Sequence, residues 1–519
     1  MTSSAVRRAG IGAWKDVKEE AKSETNKKDL CREKKVWQEY YADPLKNGAE
    51  AYEIKKPDIA FQLPCIGTLI PRTTDEIAGS NWLLGCETLD RDYADYDQYK
   101  EYLRPLGIKY LRFQGGWAKT EKARGVYDWA WLDHIIEDAV ARGLKPWLQT
   151  GYGNPVYPGA GGVNLGAGMP LSEEGLAAYE RWVSAMAARY ADRVEDWEVW
   201  NEPNFGDNKV NTPEIAADFN IRTARIIRGI QPRARISALA LGHMDEEYVE
   251  RFFRYLKEQD ACGLFHNVTY HDYVYNPDSN KLAVYKLQQI VEKYAPGLIL
   301  RQGENGAPSE ENAGGALGNY PWSEISQAKW DMRRMLENLG NDVQCSVFSI
   351  VEMQYTGNGP ITKTNTKGLL KSDAQNKVLR PKIAYYAVQH ITSVFDDTLE
   401  RVRGTQFRHS IDAGDRDRYH VSTDRSVSVY GYEKKGTGQR LYTIWMDDAI
   451  PGDSCALTEL EFDFVDSHFE APVLVDCLTG CVYEIPGEQW KKEGNVDRFR
   501  GIAVYDSPIL LVERSLLSF

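Results

Sequence analysis

Eight short apolar runs, separated by stretches of helical periodicity, dominate the sequence from residue 80 to about residue 390. The runs are Trp82–Cys86, Tyr110–Gln114, Lys145–Gln149, Asp196–Asn201, Ile236–Leu241, Val268–Tyr273, Leu298–Gln302 and Cys345–Val351. Apolar strands that alternate with helices indicate parallel βα units with both faces of the sheet covered. Eight such units within about 300 residues match both the number of units and the length of a (β/α)8 barrel. The sequence therefore predicts an α/β fold built on a TIM barrel.

Two of the intervening helices can be located from their patterns. Segment 172–190 has apolar residues at spacings of three and four, and Ser172 is suited to cap its first turn. Pro213 is expected to open the following helix, because proline is favoured in the first turn. The glycine-rich segment 151–170 follows the third run and precedes both helices, and we interpret it as a long loop at the barrel rim.

The periodicity changes after residue 395. Short alternating runs follow, separated by turn residues: Val427–Tyr432, Arg440–Met446, Leu460–Phe464, Pro472–Asp476, Val482–Ile485 and Ile509–Val512. Such a pattern predicts an antiparallel β-sandwich.

We therefore divide the chain into three parts: an N-terminal extension, residues 1–75; a catalytic barrel, residues 76–395; and a C-terminal β-sandwich, residues 396–519. The extension is expected to pack on the barrel or on the sandwich, and residues 60–75 are candidates for additional sandwich strands.

Composition and charge restrict the class of partner. The net charge is −13, which argues against a nucleic-acid-binding surface. No apolar run of about eighteen residues exists, and no signal-peptide pattern follows Arg7 and Arg8, so we expect a cytoplasmic protein without a membrane partner. Self-association into a homo-oligomer stays open.

The sequence gives no indication of a metal or other cofactor. The 8 histidines include no His-x-His pair, and His266 and His271 are five residues apart. The 8 cysteines form no paired ligand set; Cys477 and Cys481 lie in an expected hairpin, where either a disulfide or two buried thiols fits.

Two glutamates stand where a TIM barrel places its chemistry, at the carboxyl ends of the strands. The fourth run ends in Trp200-Asn201-Glu202-Pro203, and the seventh in Gln302-Gly303-Glu304. Strands four and seven face each other across the barrel mouth, so the two carboxyl groups can flank one bond. A lone glutamate at a strand end is more often an ion-pair partner. Two glutamates at the ends of facing strands indicate a catalytic function far more specifically.

Paired carboxyl groups are the requirement of glycoside hydrolysis. One protonates the leaving oxygen, and the other attacks the anomeric carbon when the groups are roughly 5–5.5 Å apart. The nucleophile must be ionised, whereas the acid needs a raised pKa. We expect Arg112 to keep Glu304 charged and burial beside Trp200 to raise the pKa of Glu202.

The segment Glu198-Val-Trp-Asn-Glu-Pro-Asn204 resembles the acid/base motif of glycoside hydrolase clan A, and Leu300-Arg-Gln-Gly-Glu-Asn-Gly306 resembles its nucleophile strand. Within the clan, the sequence is most similar to family 39, the β-xylosidase and α-L-iduronidase group. Segments 108–117, 368–388 and 476–483 resemble its second strand, its last barrel helix and its appended sandwich.

The resemblance implies a role for particular residues. Glu202 would be the acid/base and Glu304 the nucleophile, with Asn201 bound to the sugar 2-hydroxyl and Arg112 orienting Glu304. His271 or Tyr273 would lie near the nucleophile; a core position is the alternative for His271. Trp117, Trp322 and Tyr275 are candidate sugar platforms, although such aromatic residues more often pack at the rim.

Two positions depart from the family pattern. Gln114 stands where family 39 members usually have histidine in the second strand, and we expect it to contact substrate. The eighth strand continues as Phe348-Ser-Ile-Val-Glu352 without the tryptophan found in many clan members. Glu352 is a candidate for binding sugar hydroxyls instead.

The sequence thus predicts a retaining, exo-acting glycoside hydrolase that takes an oligosaccharide or glycoside substrate, either a β-glycoside or the α-L-arabinofuranoside equivalent. Two alternatives remain. A transglycosidase would share the covalent intermediate, and a non-catalytic carbohydrate-binding barrel would be expected to lack one of the glutamates. The identity of the sugar is not encoded in any motif.

Overall fold

The computed structural model describes residues 57–205, 210–355, 361–411 and 426–519. A closed barrel of eight parallel strands forms its centre, as the apolar runs predict. With Cys65–Thr68 as β1, the barrel strands are β2 Trp82–Gly85, β3 Tyr110–Gln114, β4 Lys145–Gln149, β5 Asp196–Glu198, β6 Arg235–Leu241, β7 Asn267–Tyr270, β8 Ile299–Asn305 and β9 Gln344–Val347.

Helices cover the outside of the barrel. They are α1 Tyr96–Leu103, α2 Trp117–Thr120, α3 Ala130–Ala141, α4 Glu173–Arg189, α5 Pro213–Ile230, α6 Glu246–Glu258, α7 Lys281–Tyr294, α8 Glu324–Gly340 and α9 Ile383–Val394. Ser172 caps α4 by accepting from the Gly175 N–H, as predicted, and Pro213 occupies the first turn of α5. Most of the predicted apolar face of α4 is buried, including Tyr179, Val183 and Met186.

The fourth barrel strand is shorter than the sequence suggests. It ends at Glu198 rather than at Asn201, because the backbone leaves the extended region two residues later. Trp200 and Glu202 have φ values of 63° and 46°, in the left-handed region. Non-glycine residues adopt such angles at a cost, and they do so most often at functional sites.

The region after residue 395 forms a β-sandwich. Its larger sheet contains β1, β12 Leu399–Arg401, β14 Val427–Lys434, β15 Arg440–Met446, β17 Pro472–Asp476, β18 Cys481–Glu484 and β21 Ile509–Glu513. Its smaller sheet contains β13 Phe407–His409, β16 Thr458–Val465, β19 Trp490–Glu493 and β20 Val496–Val504. Tyr442 and Phe464, one from each sheet, stack at 4.0 Å between ring centroids, so the inner faces meet. A separate hairpin, β10 Leu370–Ser372 with β11 Val378–Pro381, follows the barrel.

The N-terminal strand β1 extends the larger sheet of the sandwich. It pairs antiparallel with β18, and Thr68 lies opposite Cys481. The expectation that residues 60–75 add a strand to the sandwich is therefore confirmed, whereas most of the predicted extension, residues 1–56, lies outside the described residues. Cys477 and Cys481 are separate buried thiols, so the disulfide alternative does not hold.

Helix α8 lies at the junction of barrel and sandwich. Lys329 of this helix pairs with Asp506 of the sandwich at 2.6 Å. Arg333 pairs with Asp278 at 2.6 Å and donates to the Ala449 carbonyl at 3.0 Å. These fully buried cations join the two parts of the protein. No helix in the described part of the chain has both the length and the apolar character needed to cross a bilayer.

Candidate active site

A cavity of about 620 Å³ opens at the carboxyl ends of the barrel strands. This volume lies within the range of small-molecule sites, which is roughly 300–1,000 Å³. The residues that face it follow several different strands, and they include Glu87, Gln114, Asn201, Glu202, Tyr273, Glu304 and Phe348. Phe348 comes directly after β9, the eighth barrel strand. Its ring lines the cavity at the strand end where many clan members have tryptophan.

The backbone holds Glu202 in a defined position. Its N–H donates to the Ala240 carbonyl at 2.8 Å, which ties the segment after β5 to the adjacent strand β6. A Cβ placed on Gly242 would stand 3.0 Å from the Glu202 Cβ and Cγ. The glycine therefore leaves the room that the Glu202 side chain occupies.

Glu202 and Glu304 meet across the cavity. One carboxylate oxygen of each, together with a ring nitrogen of His271, lie within 4.8 Å of one another. His271 Nδ1 is 2.7 Å from Glu202 Oε1 and 3.6 Å from Glu304 Oε2. His271 is completely buried between the two carboxyl groups, and their negative charges and the Glu202 hydrogen bond raise its pKa although burial opposes the charged form.

The Arg112 guanidinium links the side chains around the two glutamates by hydrogen bonds. Its guanidinium donates to Glu304 Oε2 at 3.0 Å, to Glu87 Oε1 at 2.9 Å and to Glu198 Oε2 at 2.7 Å. The remaining nitrogen, Nη2, donates to Asn201 Oδ1 at 2.9 Å. Arg112 is fully buried, so this fork of donors is fixed by its partners.

Glu304 is surrounded by groups that favour its ionised form. The Tyr273 hydroxyl donates to Glu304 Oε1 at 2.9 Å, on the oxygen that Arg112 leaves open. Burial by itself would raise the pKa of Glu304, but the positive charges of His271 and Arg112 and the Tyr273 hydrogen bond outweigh it and lower that pKa. Burial raises the pKa of Tyr273 well above its usual value, so the hydroxyl keeps its proton for this bond.

Glu87 is a third carboxyl group in the site. Burial raises its pKa to about 7, because the opposing charge of Arg112 does not fully offset desolvation and Glu304 adds repulsion. The two neighbouring carboxyl groups therefore differ: Glu304 favours the charged form and Glu87 the neutral form. Environments that separate the pKa values of adjacent carboxyl groups are typical of active sites.

A network of amides and hydroxyls surrounds Asn201. Gln149 Nε2 donates to Asn201 Oδ1 at 3.2 Å, and Asn201 Nδ2 donates to the Tyr152 hydroxyl at 2.8 Å. Gln114 donates to Gln149 at 3.1 Å and accepts from Arg91 at 2.7 Å. Asn201 and Gln114 both line the cavity, where a sugar hydroxyl can compete for these bonds.

Two of the predicted substrate contacts lie in the protein interior. Trp117 is fully buried, its indole N–H donates to Glu121 at 2.6 Å, and rings of Tyr157 and Trp182 stack on it at 5.9 Å. A ring covered in this way has no face for a sugar, so that expectation is wrong. Glu352 is likewise buried, and its carboxylate pairs with Lys382 at 2.6 Å. It is not among the residues that line the cavity.

The structure does not bring the other two proposed aromatic platforms to the cavity wall. Trp322 is buried, packs against Tyr320 and donates to the Leu317 carbonyl at 2.7 Å. Tyr275 is 39% exposed, but it too is absent from the residues that line the cavity. Both lie near the long loop after β8 rather than beside the glutamates.

Several residues of the site were missed by the sequence analysis, and only some had a signal. Glu87 lies two residues after the first barrel strand and Gln149 ends the third, so both occupy positions where barrel enzymes place functional groups. Tyr152 stands between two glycines in the third loop. Lys367, which follows the last barrel strand, also lines the cavity, but no pattern in the sequence indicates this.

The ligand atoms of Glu202, His271 and Glu304 are close enough together to hold a metal ion. The Arg112 guanidinium, however, is 3.0 Å from Glu304 and places a permanent positive charge against this cluster. A second cation there would be repelled, so the residues present fit a metal site poorly.

Solved structures with the same architecture are glycoside hydrolases. A family 39 glycoside hydrolase from Bacteroides cellulosilyticus WH2 superposes with a TM-score of 0.60 at 17% identity, over 86% of this chain and 83% of that one. The family 39 enzyme from Xanthomonas axonopodis pv. citri gives 0.53 at 15% identity, over 86% and 95%. The catalytic domain of family 30 xylanase C from Talaromyces cellulolyticus gives 0.51 at 11%, over 87% and 98%.

At these identities the likeness shows a shared fold, a TIM barrel with an appended β-sandwich, over most of each chain. No protein-family model matches the sequence, and a search of curated proteins finds no match. The chemistry of this chain therefore has to be argued from its own residues.

Proposed function

We propose that this protein is a retaining glycoside hydrolase that cleaves a β-glycoside, or the α-L-arabinofuranoside equivalent, by double displacement. The observation that carries the proposal is the position of Glu202 and Glu304, whose nearest described oxygens lie within 4.8 Å across a cavity at the barrel mouth. Retaining enzymes hold their carboxyl groups about 5–5.5 Å apart, whereas inverting enzymes need about 6.5–9.5 Å to admit a water molecule.

In the first step, the Glu304 carboxylate attacks the anomeric carbon and forms an ester with the sugar. The bond between the anomeric carbon and the leaving oxygen breaks, and the Glu202 carboxylic acid gives that oxygen its proton. Arg112 and Tyr273 hold one Glu304 oxygen each, which orients the nucleophile and keeps it ionised until it reacts.

In the second step, Glu202 acts as a base. Its carboxylate takes a proton from water, and the water oxygen attacks the anomeric carbon from the face that the aglycone left. The ester to Glu304 breaks, so the sugar is released with its original configuration. His271 Nδ1, 2.7 Å from Glu202, positions that carboxyl group in both steps.

The shape of the cavity favours exo action. Two loop segments line it, residues 313–316 after β8 and residues 361–365 after β9, and they are joined by a hydrogen bond from the Gly314 N–H to the Thr364 carbonyl at 2.7 Å. Walls of this kind suit a pocket that accepts one chain end. Two solved structures of similar fold, both from Caulobacter crescentus, are β-xylosidases, which makes a xyloside a reasonable first substrate to test.

A transglycosidase would use the same two glutamates and the same ester, and would pass the sugar to an alcohol instead of water. A non-catalytic sugar-binding barrel would have no need of a lowered pKa at Glu304. Product analysis with and without an added alcohol separates the first alternative, and hydrolysis of any glycoside excludes the second.

The test is a panel of nitrophenyl glycosides assayed with the wild type, Glu304→Ala and Glu304→Gly. We expect Glu304→Ala to lose activity by about 10⁴-fold or more, as for removal of a nucleophile in other enzymes. Azide should restore turnover of Glu304→Gly and yield a glycosyl azide of inverted configuration. Full activity of Glu304→Ala on the substrate that the wild type cleaves would overturn the proposal.

A further inference from the structure

Four lysines are buried among the described residues: Lys281, Lys329, Lys367 and Lys382. Three of them are neutralised by carboxylates. Lys329 pairs with Asp506 at 2.6 Å, Lys382 with Glu352 at 2.6 Å, and Lys281 with Asp447 at 3.4 Å. This pairing is the usual condition for burying an ammonium group, because an unpaired buried charge is costly.

Lys367 is the exception in the described part of the chain. Its residue is 1% exposed, yet no described carboxylate lies within 4.0 Å of its Nζ. Its one described hydrogen-bond partner is Asn365 Oδ1, at the long distance of 3.4 Å. The face of the Tyr273 ring lies nearby, with its centroid 5.4 Å from the Nζ. An ammonium group offers three donors, so most of its bonding capacity is unused.

The backbone that carries Lys367 is firmly held. Gln327 donates to the Lys367 carbonyl at 2.8 Å, and the Lys367 N–H donates to Asn365 Oδ1 at 3.2 Å. Asn365 is itself fixed by paired backbone hydrogen bonds with Met353, at 2.9 and 3.1 Å. The backbone from which the Lys367 side chain extends toward the cavity is therefore fixed.

Lys367 lies on the nucleophile's side of the cavity that it lines. It packs over Tyr273, whose hydroxyl binds Glu304, so the ammonium group faces the space beside the reacting centre. Burial lowers the pKa of Lys367 to about 7, while the negative charges of Glu304 and Asp331 oppose that shift. An anion bound at the ammonium group would stabilise its charged form.

We propose that Lys367 binds an anionic substituent on the sugar that occupies this cavity, so that the preferred substrate is an acidic glycoside. A carboxylate, as in a uronic acid, or a sulfate ester would supply the missing acceptor oxygens and the opposite charge. This inference rests on the proposed glycosidase function and adds the class of its substrate. Charge-assisted hydrogen bonds to a buried group discriminate strongly between charged and neutral partners.

The test uses matched pairs of nitrophenyl glycosides that differ only at C6: glucoside with glucuronide, and galactoside with galacturonide. A 6-sulfated member of each pair distinguishes sulfate from carboxylate. We expect the wild type to have a higher kcat/KM for an acidic member than for its neutral counterpart. Lys367→Met should lower that ratio by about 30-fold or more, the lower end for removing one partner of a buried charge pair.

Two further variants act as controls. Lys371→Met makes the same substitution with the same change of net charge on the neighbouring strand β10, outside the cavity, and should leave the ratio unchanged. Lys367→Arg keeps the charge and should retain part of the preference. Calorimetric titration of the wild type and Lys367→Met with glucuronate, galacturonate, glucose and galactose reads binding without turnover.

The outcomes separate this inference from the function on which it rests. Hydrolysis of neutral glycosides with no preference for an acidic member, or equal loss on both members in Lys367→Met, would overturn the inference and leave the glycosidase intact. Binding of neutral sugars but of neither acid would do the same. A wild type that neither cleaves nor binds any of these glycosides, nor a xyloside or an arabinofuranoside, would overturn both.

Discussion

Buried charges at the junction of barrel and sandwich differ from those in the cavity at the barrel mouth. At the junction, Lys329 and Arg333 each have a carboxylate partner at 2.6 Å. In the cavity, Lys367 has no such partner among the described residues, and burial shifts the pKa of both Lys367 and Glu87 to about 7. Charges of the first kind hold the fold together, whereas charges of the second kind are poised to respond to a ligand.

The difference has an energetic meaning. A paired buried charge contributes to stability only as long as its partner is present, and removal of either partner is costly. A buried charge without a partner destabilises the folded state, and proteins keep such groups where function needs them. Four variants, one at each of Lys329, Arg112, Gly242 and Tyr273, test the roles assigned to residues of the junction and of the cavity.

The largest effect is expected for Lys329→Met. It leaves Asp506 without its partner at the junction, and we expect the free energy of unfolding to fall by about 3–5 kcal/mol. Lys367→Met removes no ion pair, so it should change this quantity by less than about 1 kcal/mol or increase it. Urea denaturation followed by tryptophan fluorescence measures both. Equal destabilisation by the two variants would mean that Lys367 is a structural residue.

Arg112→Lys should have the next largest effect, on activity. Lysine keeps the positive charge but cannot reproduce a fork that contacts three carboxylates and Asn201 at once. We expect kcat/KM to fall by about 100-fold, because Glu304 loses its orientation. Circular dichroism checks that the variant is folded. Wild-type activity in a folded Arg112→Lys variant would show that this network does not serve catalysis.

Gly242→Ala should have a smaller effect. The added Cβ would stand 3.0 Å from the Glu202 side chain and displace it by a few tenths of an ångström, so we expect kcat to fall by about tenfold with little loss of stability. Gly229→Ala is the matched control, since a Cβ there meets no atom within 4 Å. If both variants keep full kcat, the exact position of Glu202 is not limiting.

The smallest effect is a change in pH dependence. The Tyr273 hydrogen bond lowers the pKa of Glu304, which must be ionised to attack. Without this bond, the pKa of Glu304 rises, so the acidic limb of the kcat/KM profile of Tyr273→Phe should move to higher pH. Tyr355→Phe serves as control, because Tyr355 lines the cavity but has no hydrogen bond to Glu304. A limb that stays in place or moves to lower pH would contradict this account.

The parts that the sequence reveals are those governed by local pattern. Alternating apolar runs locate all eight barrel strands, and strand ends locate Glu202 and Glu304, because a TIM barrel always presents its carboxyl ends on one face. The strand Val496–Val504 escaped notice, since its alternation is broken by Gly501 and by charged residues that face solvent. Local patterns thus give the scaffold and the pair of glutamates.

The remaining features depend on contacts between distant segments. Trp117 follows a barrel strand, as a sugar platform would, yet its ring turns into the core between Tyr157 and Trp182. Glu352 meets Lys382, thirty residues later, whereas Lys367 meets no described carboxylate. Which buried lysine finds a partner is set by three-dimensional packing, and no spacing in the sequence encodes it.

The central claim, that Glu202 and Glu304 act by double displacement, has a direct test in the configuration of the first product. Proton NMR of the wild-type reaction, recorded before mutarotation, shows which anomer of the sugar is released. We predict the same anomeric configuration as in the substrate, because two inversions at the anomeric carbon cancel. Release of the opposite anomer would mean a single displacement by water and would contradict the role given to Glu304.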